Sequence, residues 1–370
     1  MNDFMKIGDI CDILNGYAFK SSKYVDDGIR VIRITNVQKG FVEDTNPQYY
    51  PVSEQWEIEK YMLREGDLLI SLTGNVGRVG LLSAVLLPAA LNQRVACIRI
   101  RNPAVIYKPF LFHLLNSDYF ENRCIFASQG VAQKNMSTEW LKEYQIPSFS
   151  MDKQMEIASI FDKIDALIVS RKEQVRNLDQ VVKSRFIELF GDPQRNPHGY
   201  KHTKLSDIAT YYNGLTYKPE NVAAEGTIVL RSSNIQNSQL DFADTVRVDC
   251  AIKKRLMVQK NDILMCSRNG SAKLVGKVAL IKDIHELMSF GAFMMIIRSQ
   301  YFGYLMTYFQ MDAFRQQIKT GATTTINQIT GRMLDDVTIP LPPMALVDQF
   351  AAFVEQTDKS KLCGTMEVAA

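Results

Sequence analysis

Residues 6–38 read KIGDICDILNGYAFKSSKYVDDGIRVIRITNVQ, and residues 204–236 read KLSDIATYYNGLTYKPENVAAEGTIVLRSSNIQ. Laid over one another without a gap, they share Lys6 with Lys204, Asp9 with Asp207, Ile10 with Ile208, Asn15 with Asn213 and Gly16 with Gly214. They also share Lys20 with Lys218, Gly28 with Gly226, Arg33 with Arg231, Asn36 with Asn234 and Gln38 with Gln236. Ordinary residue usage would give roughly two identities in such a window. Further on, the correspondence drifts slightly, as loop insertions would make it. Asp67-Leu-Leu-Ile matches Asp262-Ile-Leu-Met, Gly74 and Gly80 match Gly270 and Gly276, Gly130 matches Gly321, and Ile146-Pro147 matches Ile339-Pro340. The chain therefore holds two copies of one unit of about 150 residues, a length usual for a domain.

Within each copy, short β-branched runs bounded by Gly, Asn and Asp predict strands. They fall at Ile29–Ile34, Asp67–Leu72, Val79–Leu82 and Val95–Arg99, and again at Thr227–Leu230, Asp262–Cys266, Val275–Ile281 and Phe293–Arg298. A helical segment follows at Lys108–Ile125 and at Tyr301–Ile318, so each copy is mixed α and β. The segment between the copies differs. From Asp152 to Phe190 there is neither Pro nor Gly. Ile157, Phe161, Ile164, Ile168, Val175, Leu178, Val182 and Leu189 follow a 4,3 spacing that only Arg171 and Arg185 interrupt. That is a heptad seam, which predicts a long helix packed along another helix. The two arginines read as snorkelling side chains at a loose seam. A second helix, with Phe350 and Phe353 on its seam, is expected after Pro342-Pro343. The expected boundaries are a domain at 1–150, the central helix at 151–190, a linker at 191–199, a second domain at 200–343, a short distal helix at 344–361 and a tail at 362–370. Gly364 is expected to stop the distal helix.

Composition narrows the function. The 370 residues are 46% hydrophobic and 22% charged, with a formal charge of +3, an ordinary globular balance. Six cysteines form no CxxC pair, and four histidines form no HExxH motif, so neither a metal site nor a disulfide framework is expected. The opening MNDFMKIGDI shows no basic-then-apolar order, and the apolar run Val79–Leu91 is too short for a bilayer. The expectation is a reduced, cytoplasmic chain without a membrane partner.

Three groups of residues suit contact with nucleic acid. The glycine-rich stretches Gly74–Gly80 and Gly270–Gly276 offer Thr73, Asn75 and Arg78, then Ser267, Arg268, Asn269, Ser271, Lys273 and Lys277. They miss the dinucleotide and P-loop spacings, so they read as hairpin loops whose small residues let backbone approach a phosphate or base. Arg and Lys can meet guanine or phosphate, and Asn can meet adenine. The second group is Gln133, Lys134 and Asn135, matched by Thr324, Thr325 and Asn327. A solvated turn explains such a polar stretch equally well. The third is the recurring Arg-x-x-Asn-x-Gln pattern, Arg33, Asn36 and Gln38 with Arg231, Asn234 and Gln236. Shared hydrogen bonding at a strand end accounts for it as readily as base readout does.

Taken in order, Asp67-Leu-Leu-Ile-Ser-Leu-Thr-Gly, Ile146-Pro, the helix ending Phe186-Ile-Glu-Leu-Phe-Gly-Asp-Pro, Lys204-Leu-Ser-Asp-Ile and Ile339-Pro-Leu-Pro-Pro resemble the specificity subunit of type I restriction–modification systems. The resemblance implies an α+β chain with two similar mixed α/β target recognition domains, separated by long antiparallel coiled-coil helices. It implies double-stranded DNA as ligand, each domain reading half of a split site. It implies two methylation subunits that carry S-adenosylmethionine, and nuclease subunits that use ATP and magnesium. The chain itself would hold no cofactor and catalyse nothing. Two other readings stand beside it, a DNA methyltransferase bearing such domains and a coiled-coil scaffold unrelated to DNA. The first would need an NPPY-like turn, and Asn196-Pro-His-Gly lacks its second proline and ring.

Overall fold

The computed structural model describes residues 4–128, 135–319 and 328–369. Gln133, Lys134, Thr324, Thr325 and Asn327 lie outside the described residues. The chain divides into two compact units, Met1–Val169 and Ser170–Ala370, and the division falls inside the central helix.

In the first unit a five-stranded sheet runs in the order Cys11–Asn15, Val95–Ile100, Leu68–Ser71, Val79–Leu81, Gly40–Phe41. A second sheet runs Tyr49–Tyr50, Ile29–Ile32, Ala89–Leu91. The second unit repeats both. Thr210–Asn213, Met294–Arg298, Ile263–Cys266 and Val278–Leu280 form one sheet. Val222–Ala223, Arg247–Val248, Thr227–Leu230 and Met288–Phe290 form the other. In both units the second sheet ends on a parallel pair, Arg30 opposite Ala89 and Ile228 opposite Met288. Short antiparallel ladders then tie the start of each copy to its end, Met5 opposite Ile146 and Thr203 opposite Ile339. Strands such as Leu68–Ser71 and Ile263–Cys266 are buried on both faces, which is why they read as apolar runs rather than alternating ones, whereas the edge strand Thr210–Asn213 has no buried residue.

One ion pair recurs. Asp67 is 4% exposed and receives Arg99 through Nε at 2.9 Å, and Asp262 is fully buried and receives Arg298 through Nε at 2.7 Å. Each carboxylate also accepts a backbone N–H, from Arg64 at 2.8 Å and from Gln259 at 2.7 Å. The Asp67 carboxylate raises the Arg99 pKa, and Asp262 does the same for Arg298.

Four expectations need correction. The segments Lys108–Ile125 and Tyr301–Ile318 are each two helices, Lys108–Leu115 with Asp118–Ala127 and Phe302–Tyr308 with Asp312–Lys319. In the first copy Asn116 ends one and Ser117 caps the next, the Ser117 hydroxyl accepting from Phe120 N at 3.2 Å. The distal helix is Met344–Ala369, not a segment ending at residue 361. Gly364 lies inside it, since a single glycine costs a helix only about 1 kcal/mol. The glycine alignment also shifts. Leu69 faces Gly80 and Leu264 faces Ala279, so Gly80 has no glycine counterpart. Gly77 and Gly276 are the equivalent pair, donating to Ser71 O at 3.0 Å and Cys266 O at 2.8 Å. Gly77 follows Ser71 by six residues and Gly276 follows Cys266 by ten, so the second loop is four residues longer.

The seam is the fourth. In the second unit Val182 and Leu189 pack on the core, and Val175 and Leu178 are half-buried. Phe186 and Phe190, outside the predicted seam, are buried against Tyr304 and Phe350 at centroid distances between 5.0 and 5.6 Å. The contacts of the central helix with Met344–Ala369 run antiparallel: Phe190 meets Phe350, Arg185 lies over Phe353, and Asp179 meets Lys361. Arg171 does not snorkel. Its guanidinium donates to Ser360 O at 3.3 Å and Lys361 O at 3.2 Å, fixing the register of the two helices. In the first unit Ile157 is half-buried and Ile168 likewise, but Phe161 is 47% and Ile164 42% exposed. There the buried face carries Ala158 and Gln154, whose amide accepts from Tyr107 N at 2.8 Å and donates to Val105 O at 3.0 Å.

Candidate nucleic-acid interface

Four segments meet at one end of the strands in each copy, through backbone hydrogen bonds. In the first unit Leu72 N donates to Arg94 O at 3.0 Å, Met136 N to Leu72 O at 2.9 Å and Asn92 N to Ile32 O at 3.2 Å. Thr73 bridges Asn135. In the second unit Ser267 N donates to Phe293 O at 2.9 Å, Ile329 N to Ser267 O at 2.7 Å and Gly291 N to Leu230 O at 2.9 Å. Arg268 bridges Gln328. The glycine-rich stretches and the Arg-x-x-Asn turns therefore lie side by side with residues 135–136 and 328–329, and a further segment, 92–94 or 291–293, joins them. Asn135 corresponds to Gln328, one residue beyond the expected match at Asn327.

The predicted residues divide into structural and exposed ones. Asn36 is 3% exposed. Its oxygen accepts from Arg33 N at 3.0 Å, and its amide donates to Glu43 O at 3.2 Å and Thr45 O at 3.1 Å. Asn234 repeats this with Arg231 N, Asp241 O and Asp244 O, each at 2.8 Å. Neither amide is free for a base, because folding the turn already uses both donors. Gln38 donates to Glu43 Oε1 at 2.7 Å and accepts from Arg78 at 2.8 Å. Gln236 is exposed and donates to Ser233 O at 3.0 Å. Arg33 donates to Asn46 O at 2.5 Å and Arg231 to Asp244 at 2.8 Å, and in each the buried Nε has no partner. Ser267 is 4% exposed and its hydroxyl donates to Phe293 O at 3.0 Å, which removes it from contact with a ligand.

Exposed groups remain. Asn75 and Asn135 stand open in the first copy, and Thr73 is half-buried with an unpartnered hydroxyl. In the second copy Arg268, Ser271 and Lys273 are exposed and Lys277 is half-buried. Asn269 accepts from Ser271 N at 2.9 Å and donates to Ser232 at 3.3 Å. Arg268 lies over the Phe293 ring at 5.6 Å. Lys39, beside the first site, is paired with Asp118 and lies 3.3 Å from Glu121, and the Asp118 carboxylate raises its pKa. The buried thiols are not poised for chemistry. Burial pushes Cys11 and Cys124 up to about 12. Among the described residues, no three His, Cys, Asp or Glu side chains gather as a metal site needs, and no helix is long and apolar enough to cross a membrane.

A family model described as the type I restriction modification DNA specificity domain matches residues 2–178 and again 197–362. The chain belongs to that family. It carries the type I specificity domain twice, on the two copies seen in the sequence. It is 26% identical over 185 residues to the MjaVIII specificity subunit of Methanocaldococcus jannaschii, covering 49% of this chain and 43% of that protein. It is 22% identical over 386 residues to the StySPI specificity subunit of Salmonella potsdam, covering 95% of this chain and 82% of that one. The fold is similar to a type I S subunit from M. genitalium, at TM-score 0.50 and 15% identity over 99% of this chain and 92% of that one. It is also similar to a chain from a structure of type I complex assembly and conformational transition, at TM-score 0.57, 15% identity and 99% and 93% coverage.

The tips of the fourth segment were not among the residues that the repeat singled out. Gln93 and Arg94 are exposed in one copy, Ala292 and Phe293 in the other. They share no residue type, so repeat matching could not align them as a pair. Only the backbone ladders do.

Proposed function

We propose that the chain is the non-catalytic DNA-recognition subunit of a type I restriction–modification complex, each copy reading one half of a split double-stranded site. The observation that carries the reading is the duplicated end surface. The same four segments converge twice, and they leave amides and cations open on short, backbone-rich loops that can approach bases and phosphates. The helices would set the gap between half-sites and dock two methylation subunits. Those subunits would supply S-adenosylmethionine, nuclease subunits would use ATP and magnesium, and the complex would work in the cytoplasm.

The test adds components one at a time. The purified chain should bind duplex DNA weakly and with strong salt dependence. It should take up no S-adenosylmethionine by calorimetry, and adenine methylation should appear only after the methylation subunit is added. Stoichiometric cofactor binding by the chain alone would overturn the reading.

A further inference from the structure

Each copy presents a two-residue tip at the same place, Gln93-Arg94 in the first and Ala292-Phe293 in the second, and all four residues are exposed. The backbone fixes the equivalence, since Arg94 O accepts from Leu72 N at 3.0 Å and Phe293 O from Ser267 N at 2.9 Å. Each tip sits directly before an interior strand of a sheet, Val95–Ile100 or Met294–Arg298, so it is held by rigid structure. Among the described residues, the Gln93 and Arg94 side chains make no hydrogen bond or ion pair. Phe293 is 59% exposed, and its ring neighbour is the exposed Arg268. A single exposed apolar residue means little by itself. Here, however, it stands on a polar rim, at the position where the other copy places a cation. Residues common to both copies cannot distinguish different half-sites, whereas these positions differ in kind.

We infer that the two tips select bases, and that they select different ones. This rests on the DNA-reading function proposed above. In the major groove Gln pairs with the adenine N6/N7 edge and Arg with guanine O6/N7, whereas Ala and Phe contact the thymine methyl. Gln93 and Arg94 therefore equip the first copy for a purine edge. Ala292 and Phe293 equip the second for a thymine, with Arg268 beside the ring to meet the adjoining phosphate or base.

The experiment uses the full chain with its methylation subunit, in a host without adenine methylation, and maps the methylated adenines. The wild type should give a split motif. If it gives none, the DNA-reading proposal fails, and the tip assignment with it. Given a motif, Arg94→Ala should relax one guanine position in one half-site, lowering discrimination there by about 10- to 100-fold. Phe293→Ala should do the same at one thymine of the other half-site. Arg94→Lys and Phe293→Leu should give intermediate losses at those same positions. All should keep the wild-type unfolding midpoint, because the side chains are exposed. The inference is overturned, with DNA reading intact, by any of three results. These are an unchanged motif and rate, a uniform fall in methylation with the motif unchanged, or a lowered midpoint.

Discussion

At the end of the first copy, Arg78 is hydrogen-bonded to Gln38, and nearby Lys39 is held by Asp118 and Glu121. At the end of the second, a loop four residues longer carries Lys273 exposed and Lys277 half-buried, and Arg268 faces an exposed ring. The backbone ladders beneath are the same in both. Duplication thus preserved the hydrogen-bonded frame, where a change leaves buried polar groups unpaired, and left the rim free to diverge. The lesson is that identity between the copies marks structure. Asn36 with Asn234 and Asp67 with Asp262 are the clearest repeats, and each is buried and fully engaged.

The comparison can be broken at its frame. Asp67→Ala and Asp262→Ala should each destabilise their own unit by about 3–5 kcal/mol, by leaving a partly buried guanidinium uncompensated. Denaturant unfolding of the two variants should give similar losses, and a marked inequality would show that the frame is not equivalent. The central helix offers a sharper contrast within one element. Phe186 is fully buried and Phe161 is 47% exposed. Phe186→Ala should cost about 3–5 kcal/mol, and Phe161→Ala well under half of that in the same measurement. If the methylation subunit docks on the first unit's half of the helix, Phe161→Asp should weaken assembly in size-exclusion chromatography while leaving the unfolding midpoint in place.

Smaller effects separate the loops. Gly77 and Gly276 both have positive φ, of 86° and 81°. A Cβ on Gly77 would lie 2.7 Å from Cys124 Cβ, whereas one on Gly276 would lie 3.2 Å from the movable Arg315 guanidinium. Each alanine substitution carries left-handed strain of about 1–2 kcal/mol. Gly77→Ala should be the worse of the two in thermal unfolding, because Cys124 sits on a helix that cannot easily give way. Least of all should be the charge effects. Lys273→Ala and Lys277→Ala should each lower the salt slope of DNA binding by about one unit. Arg78→Ala should lower it less, since Gln38 already engages that guanidinium. Equal slopes for all three would erase the proposed difference between the copies.

Much of this was legible along the chain. The duplication, the strand positions and the helix between the copies follow from identities at one offset and from heptad spacing, both of which are local. The glycine equivalence was misread because an insertion and a neighbouring glycine give nearly the same alignment, and only strand register separates Gly77 from Gly80. The helix seam meets a core at Val182 and Leu189 and stands exposed at Phe161 and Ile164. Periodicity states which residues share a face of a helix, but not what covers that face.

The sequence by itself determined the twofold repeat, the α and β content and the family, because these depend on residue order and on the preferences of short segments. Tertiary structure alone decided which polar residues are available. Asn36 and Asn75 look alike as candidates, yet one is enclosed by two carbonyls and a backbone N–H while the other faces solvent. It alone also brought the 92–94 and 291–293 tips beside the glycine loops, through hydrogen bonds that span 22 residues from Leu72 to Arg94 and 26 from Ser267 to Phe293. Burial and long-range pairing are properties of the folded surface, and a buried amide satisfied by its own turn differs from a solvent-facing one only after the chain has closed around it.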